Sequence, residues 1–409
     1  MTAAADPRVA FVQDGARLHY AFPLALQQHG MLERVFTTWY TAPGSPEALI
    51  AKAIRPFAPA LADRIAGRIH AELDARRVFS NRWLVLRQRW MRRHSRSLEE
   101  HYQRCAELER RWIERLGWGQ ATVFGGFVRN VAPGLCRAAR QAGLRVVVDQ
   151  MIAPAAIEQR EATEQRRRFP GWEPPVDYSI VAADEEATWR EADRITCSSE
   201  YVQGGLTAMG VPAERVALNP YPIAAPEFQF VDRSNRTGQP TVGFIGQVGL
   251  RKGAPYFLDV ARRLANRARF VMVGPVAISA DVLSRYADNA ELIGSVPRSH
   301  VRHWLERFDV FFFPSTCEGS PSSVVEAMLT GLPIVTTPTS GTMVRHEIDG
   351  FIAPYDDVVR LTESIGRLID DRNLRSAMGV RARERALEFD VARFGDRLAA
   401  IVRAVMANR

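Results

Sequence analysis

Residues 317 to 333 read CEGSPSSVVEAMLTGLP, which sets Glu318 and Glu326 eight positions apart on either side of a Gly-Ser-Pro-Ser-Ser turn. The apolar spacing after the turn predicts a helix ending at Gly331, with Ser320 as its N-cap and Pro321 in the first helical position, where a missing N–H costs nothing. Such a mouth would offer the N–H groups of Gly319, Ser322 and Ser323 to phosphate oxygens. Carboxylates beside a phosphate seat repel phosphate. Glu318 and Glu326 are therefore expected to accept hydrogen bonds from hydroxyls, a sugar on one side and a ribose on the other. The plain alternative is one solvated loop glutamate and one exposed helix glutamate.

A second element, FIGQVGLRKG (244–253), supplies the opposite charge. Of the 54 basic residues only Lys52 and Lys252 are lysines. A diphosphate leaving group gathers negative charge as its bond to a sugar breaks, and a fixed cation beside it lowers that barrier. Lys252, with Arg251 next to it, is the candidate; the alternative is a lysine that decorates a turn.

These residues need elements to hold them. PRVAFVQD (7–14) and LERVFTTWY read as strands around a helix capped at Gly30. Residues 45–116 read as a helical and unusually basic insertion. ATVFGGF, LRVVVDQM and RITCSS then alternate with helices that end at Gly143 and Gly210. The segment 216–240 carries four prolines and reads as a connection between domains. TVGFIGQV, ARFVMVGP, AELIGSV, FDVFFFPS and LPIVTT form a second alternating series, so the fold class is α/β with two facing, doubly wound, Rossmann-like domains and a cleft between them. The expected units are 1–218, 219–388 and a terminal helix over 389–409 that crosses back to the first.

Composition bounds the alternatives. The chain has 409 residues, 46% of them hydrophobic, enough for two cores. Cysteines 105, 136, 197 and 317 show no metal-ligand or disulfide spacing. The start, MTAAADPRVAFVQDG, lacks a signal-peptide pattern and no run is long enough to span a bilayer, so a cytoplasmic chain is expected. A net charge of +8 points to an anionic partner, although arginine-rich coding would produce it too. No Gly-x-Gly-x-x-Gly follows the first strand and no Walker loop occurs, which removes support from dehydrogenases and P-loop kinases.

The second half resembles the family-4 retaining glycosyltransferases of GT-B fold. Its Glu-x7-Glu element is E318-GSPSSVV-E326 followed by AMLTGLPIVTT; FIGQVGLRKG resembles the phosphate loop and GTMVRHEIDGFIAP (341–354) the later strand-turn element. The resemblance covers 240–390 and is weaker over 1–220. It implies that Glu318 meets hydroxyls of the donor sugar, Glu326 holds the ribose, and Lys252 binds the diphosphate. The family's loop arginine, after Gly246, is Gln247 here, and Arg251 is the candidate replacement. The base is expected near GSVPRSH (294–300), with Val296 and Arg298 as candidates. No Asp-x-Asp occurs, so no metal and no cofactor beyond the donor are expected. Retention is implied, with the departing phosphate taking the acceptor's proton on the same face rather than a carboxylate nucleophile acting.

The first unit should receive the acceptor, a saccharide or polyprenyl-linked saccharide of cell-surface polysaccharide or glycolipid synthesis. In QDGARLHY (13–20), Gly15 would let backbone approach the diphosphate, and Arg17 and His19 would face the cleft. The family's later histidine is absent from VFGGFVRN (123–130), where Arg129 or Asn130 stands in or nothing does. Residues 75–98 hold eight arginines, two tryptophans and no acid, which suits a helix on anionic lipid at the inner face of the plasma membrane. Nucleic acid would suit it too but is not expected as a partner. A sugar-nucleotide epimerase of the same fold, a nucleic-acid-binding protein and a silent carbohydrate-binding protein are the rival readings.

Overall fold

In the computed structural model, which describes residues 6–95, 97–223, 228–286 and 288–407, the chain forms two parallel sheets. Residues 1–5, Arg96 of the basic segment, 224–227 of the connection and 408–409 of the expected terminal helix lie outside the described residues. In the first sheet the strands are β1 (Val9–Gln13), β2 (Leu32–Thr37), β3 (Val78–Ser80), β4 (Val123–Phe127), β5 (Arg145–Gln150), β6 (Arg194–Cys197) and β7 (Val216–Leu218), ordered 3-2-1-4-5-6-7. The second holds β8 (Thr241–Ile245), β9 (Arg269–Val273), β10 (Glu291–Gly294), β11 (Val310–Phe313), β12 (Ile334–Thr336) and β13 (Gly350–Ile352), ordered 10-9-8-11-12-13.

Two of these strands correct the sequence reading. β3 lies inside the stretch expected to be helical and pairs with the edge of β2. β7 opens the segment read as a connection and pairs with β6. Each has three residues, too few to show an alternation against their basic or proline-rich surroundings.

The second core is built on phenylalanine. All four residues of β11 are buried, as expected of a central strand covered on both faces. Phe313 stacks on Phe244 with ring centroids 5.6 Å apart, and Phe312 on Phe257 at 5.3 Å. Gly243 in β8 has no alternative here: a Cβ would stand 2.0 Å from the Phe308 ring.

Two devices join the units. The terminal helix Val391–Ala407 lies on the first unit, with Phe394 edge-on to Phe22 at 5.0 Å, and its Arg397 holds the linker through Asn219 Oδ1 at 3.0 Å. The helix Ala155–Arg168 of the first unit binds the second from the side: Tyr256 Oη donates to Gln165 Oε1 at 2.7 Å, and Tyr355 Oη to Glu161 Oε2 at 2.9 Å. Between these two ties, carboxyl ends of strands from both sheets meet at the cleft, where open α/β sheets bind ligands.

Candidate active site between the two sheets

Lys252 and Arg251 sit on the turn after β8, immediately before the helix Ala254–Arg263. The turn is pinned from the other loop. Ser315 Oγ and Thr316 Oγ1 both donate to the Arg251 carbonyl, at 2.9 and 3.1 Å. From the first unit, Glu173 Oε1 accepts the Leu250 N–H at 2.6 Å. Both cations therefore occupy fixed positions, and both reach Glu318 Oε1, Arg251 at 2.6 Å and Lys252 at 2.5 Å. Lys252 also stands 4.9 Å from the Phe313 ring centroid, a cation–π contact.

The two cations respond differently to the same carboxylate. Burial lowers the Lys252 pKa, and the Arg251 charge adds to this while Glu318 offsets part of it. Burial works against Arg251 as well, but Glu318 and Glu158 outweigh it and its pKa is raised. The signs differ because Arg251 has a second carboxylate, Glu158, acting on it, while Lys252 has only Glu318 and is opposed by the neighbouring Arg251 charge.

Glu326 lies one turn inside the helix Ser322–Leu329 and is buried, which removes the plain reading of an exposed helix residue. Arg298 closes on it with two bonds of 2.7 and 2.8 Å and stands 5.6 Å from the Phe228 ring centroid. Arg298, expected near the base, thus sits on the carboxylate expected to hold the ribose. Val296 packs against the second core. The helix starts one residue later than expected, with Pro321 in the N-cap position and no side-chain cap; Ser320 does not cap it. Pro321 takes the extended N-cap backbone itself, which its fixed φ allows.

Gly319 also has a different neighbour from the one expected. A Cβ there would stand 1.8 Å from the Met151 carbonyl oxygen, so the glycine is where the two units touch backbone to backbone. Ser322 is exposed and Ser323 half-buried at the first helical turn, and Gln247 is exposed beside the two cations.

On the first unit the expected residues divide. Gly15 has a left-handed backbone (φ 61), and the Arg68 guanidinium stands over its open side, 1.6 Å from where a Cβ would stand. Arg68, on the insertion, was not singled out in the sequence; 53 residues separate it from Gly15 and no local pattern marks it. Arg17 donates to Met151 Sδ at 2.8 Å, 5.5 Å from the Phe127 ring centroid, and His19 is exposed. Arg129 is held by Glu158 at 2.5 Å and Glu185 at 2.6 Å.

Glu158 is the other residue the sequence did not reveal. Burial raises its carboxyl pKa, against the pull of Arg129 and Arg251. It lines a cavity of about 170 Å³ together with Tyr178, Gln247, Arg251 and Lys252, so the cavity has walls from both units. A larger cavity of about 390 Å³, belonging to the first unit alone, begins on the other side of Tyr178.

Two facing parallel sheets with a cleft between them are the GT-B fold, and the chain has that fold. Residues 239–371 match the family described as Glycosyl transferases group 1. The chain is 26% identical to 2-deoxystreptamine glucosyltransferase of Streptomyces kanamyceticus over 375 residues, 85% of this chain and 87% of that one. It is also 26% identical to amylovoran biosynthesis glycosyltransferase AmsK of Erwinia amylovora over 182 residues, 41% of this chain but only 45% of that protein. Sucrose-phosphate synthase of Thermosynechococcus elongatus shares the fold with a TM-score of 0.68 and 16% identity, covering 98% of this chain and all of that one.

Proposed function

We propose that this chain is a family-4, retaining, metal-independent hexosyltransferase that moves a sugar from a nucleotide-diphosphate donor to a saccharide or lipid-linked acceptor, in bacterial cell-surface polysaccharide or glycolipid synthesis. The observation that carries the reading is the Arg251–Glu318–Lys252 cluster. Two fixed cations are held in a partly enclosed cleft by one carboxylate, and a diphosphate can take that carboxylate's place at the cations.

The steps follow from the chemistry of these groups. The donor's diphosphate takes the Lys252 and Arg251 charges, and Glu318, released from them, accepts hydrogen bonds from hydroxyls of the sugar. Glu326 exchanges Arg298 for the ribose hydroxyls. The bond from the anomeric carbon to the phosphate oxygen breaks, the acceptor oxygen bonds to that carbon on the same face, and the acceptor's proton goes to the departing phosphate. Lys252 and Arg251 stabilise the charge gathering there, the kind of preorganised electrostatic effect that is often the largest single contribution to rate. The cavity beyond Tyr178 leaves room for an acceptor, which a sugar-nucleotide epimerase would not need.

The membrane-peripheral part of the reading rests on the helix Arg82–His94. Its Trp83, Leu86 and Trp90 share one face and are 78%, 54% and 59% exposed, with Arg82, Arg87, Arg92 and Arg93 exposed around them. Buried Leu84 and Met91 hold the opposite side. Outward tryptophans among arginines fit an anionic lipid surface. Among the described residues no helix is long and apolar enough to cross a membrane.

The experiment is calorimetric titration of UDP, GDP, ADP and dTDP, each with EDTA, into the wild type and Glu326→Ala. One base should bind selectively without metal, and the substitution should weaken it at least tenfold. Failure of all four, with the variant folded, would sink the reading.

A further inference from the structure

The cavity of about 390 Å³ lies at the carboxyl ends of β1, β2 and β4, and Tyr178 is shared between its wall and that of the cavity holding Lys252 and Arg251. An acceptor seated there would face the donor across one side chain. The charge of the wall is specific. Asp14, Glu109, Asp184 and Glu185 line it, and among the described residues the only lining cations are Arg129 and, when protonated, His101. Arg129 is already held by Glu158 and Glu185.

What remains is three carboxylates, Glu109, Asp14 and Asp184, beside neutral donors such as Gln88, Tyr102 and Tyr178, and none of these donors carries a compensating positive charge. Glu109 projects from the middle of the helix Leu98–Leu116 and has no hydrogen bond or ion pair among the described residues. Its pKa is raised to about 7 by burial and then by the nearby Asp14. Asp14 accepts one bond, from Thr38 Oγ1 at 2.5 Å. An independent observation points the same way: Asn130 Oδ1, on the wall after β4, is buried without a donor. A buried acceptor atom left unpaired costs free energy until a ligand supplies the N–H or O–H.

We propose that this cavity is the acceptor seat and that it takes an amine-bearing polyol, an amino sugar or aminocyclitol, whose ammonium group lies against Glu109 and Asp14 while a further N–H or O–H donates to Asn130. The proposal rests on the transferase reading above and adds the acceptor class. A phosphate or uronate would meet three carboxylates, and a neutral sugar would leave Glu109 uncompensated. If the acceptor is carried on a lipid diphosphate, that diphosphate lies outside this cavity and the amine-bearing sugar inside it.

The test is calorimetric titration of the full chain at pH 8 with 2-deoxystreptamine and glucosamine, against N-acetylglucosamine and glucose, with the nucleotide that binds best present throughout. The free amines should bind at least tenfold more tightly than the acetylated and neutral compounds. Glu109→Gln should remove at least tenfold of that preference. Asp184→Asn, at the exposed rim, provides a variant with little risk to folding and should reduce the preference severalfold. Equal or tighter binding of the neutral sugars, no binding of any of the four, or an undiminished preference in both variants would overturn the proposal. Nucleotide titration is read separately: nucleotide binding without amine preference sinks this proposal alone. Amine preference without nucleotide binding sinks the transfer reading and leaves an amine site.

Discussion

The two halves of the cleft carry opposite charges. On the second unit, Lys252 and Arg251 are the groups a ligand would meet, two positive charges sharing a single carboxylate contact. On the first unit, Glu109, Asp14 and Asp184 line the larger cavity, where the one arginine is already paired. Between them runs a fixed bridge: Glu158 is 2.5 Å from Arg129, and its charge also acts on Arg251. The net charge of +8 hides this arrangement. On the two proposals above, substrates are sorted by sign within one cleft, an anionic donor to one wall and a cationic acceptor to the other, with like-charge repulsion opposing misplacement.

The largest effect should come from the donor wall. Lys252→Ala is expected to lower kcat by about 10²- to 10³-fold, the usual loss when one transition-state charge contact is removed, with the circular dichroism spectrum unchanged. A loss confined to KM would mean that the lysine only binds. Next in size is the outer face of the first unit: Trp83→Ser with Trp90→Ser should cut co-sedimentation with phosphatidylglycerol vesicles by about tenfold, while acceptor and nucleotide titrations stay as in the wild type. Undiminished sedimentation would assign those tryptophans to another partner.

A pH series sharpens the donor side. Lysine must be protonated to stabilise the leaving group, and burial lowers its pKa, so activity should fall as pH rises through a value below the ordinary lysine range. In Lys252→Arg, whose guanidinium stays charged, that alkaline limb should move upward; an unmoved limb would place the titration elsewhere. The smallest effect concerns Arg298. Since it occupies Glu326 through two bonds, Arg298→Ala should tighten nucleotide binding by a few-fold, roughly the 1 kcal/mol at the upper end for a partly exposed pair. Weaker binding would show that Arg298 itself reaches the nucleotide.

The donor wall was the more legible half because its chemistry is local. Glu318 and Glu326 are separated by eight positions and Arg251 and Lys252 are adjacent, so each pair lies within one strand-turn-helix stretch that the sequence shows directly. The pairing of Arg298 with Glu326, 28 positions apart, was not legible, because it depends on how the turn after β10 folds over a helix two elements later. The acidic lining of the first unit's cavity was not legible in the sequence. Residues 45–116 are basic in composition, but folding turns Glu109 inward and leaves Trp83 and Trp90 outside. Composition averages a helix over faces that tertiary packing separates. Gly15 fits its left-handed turn, but the side chain that fills the space above it, Arg68, comes from a distant part of the chain.

Gly319 gives the cleft its spacing. Because the second unit meets the Met151 carbonyl at a residue with no side chain, a single methyl group would act as a shim. Gly319→Ala would hold the halves apart by about the width of that methyl while leaving both walls chemically intact. Recognition and turnover would then come apart: each substrate could still find its own half, yet the two reacting oxygens and the anomeric carbon between them would no longer fall within bonding reach, since an offset of about 1 Å can cost on the order of a hundredfold in rate.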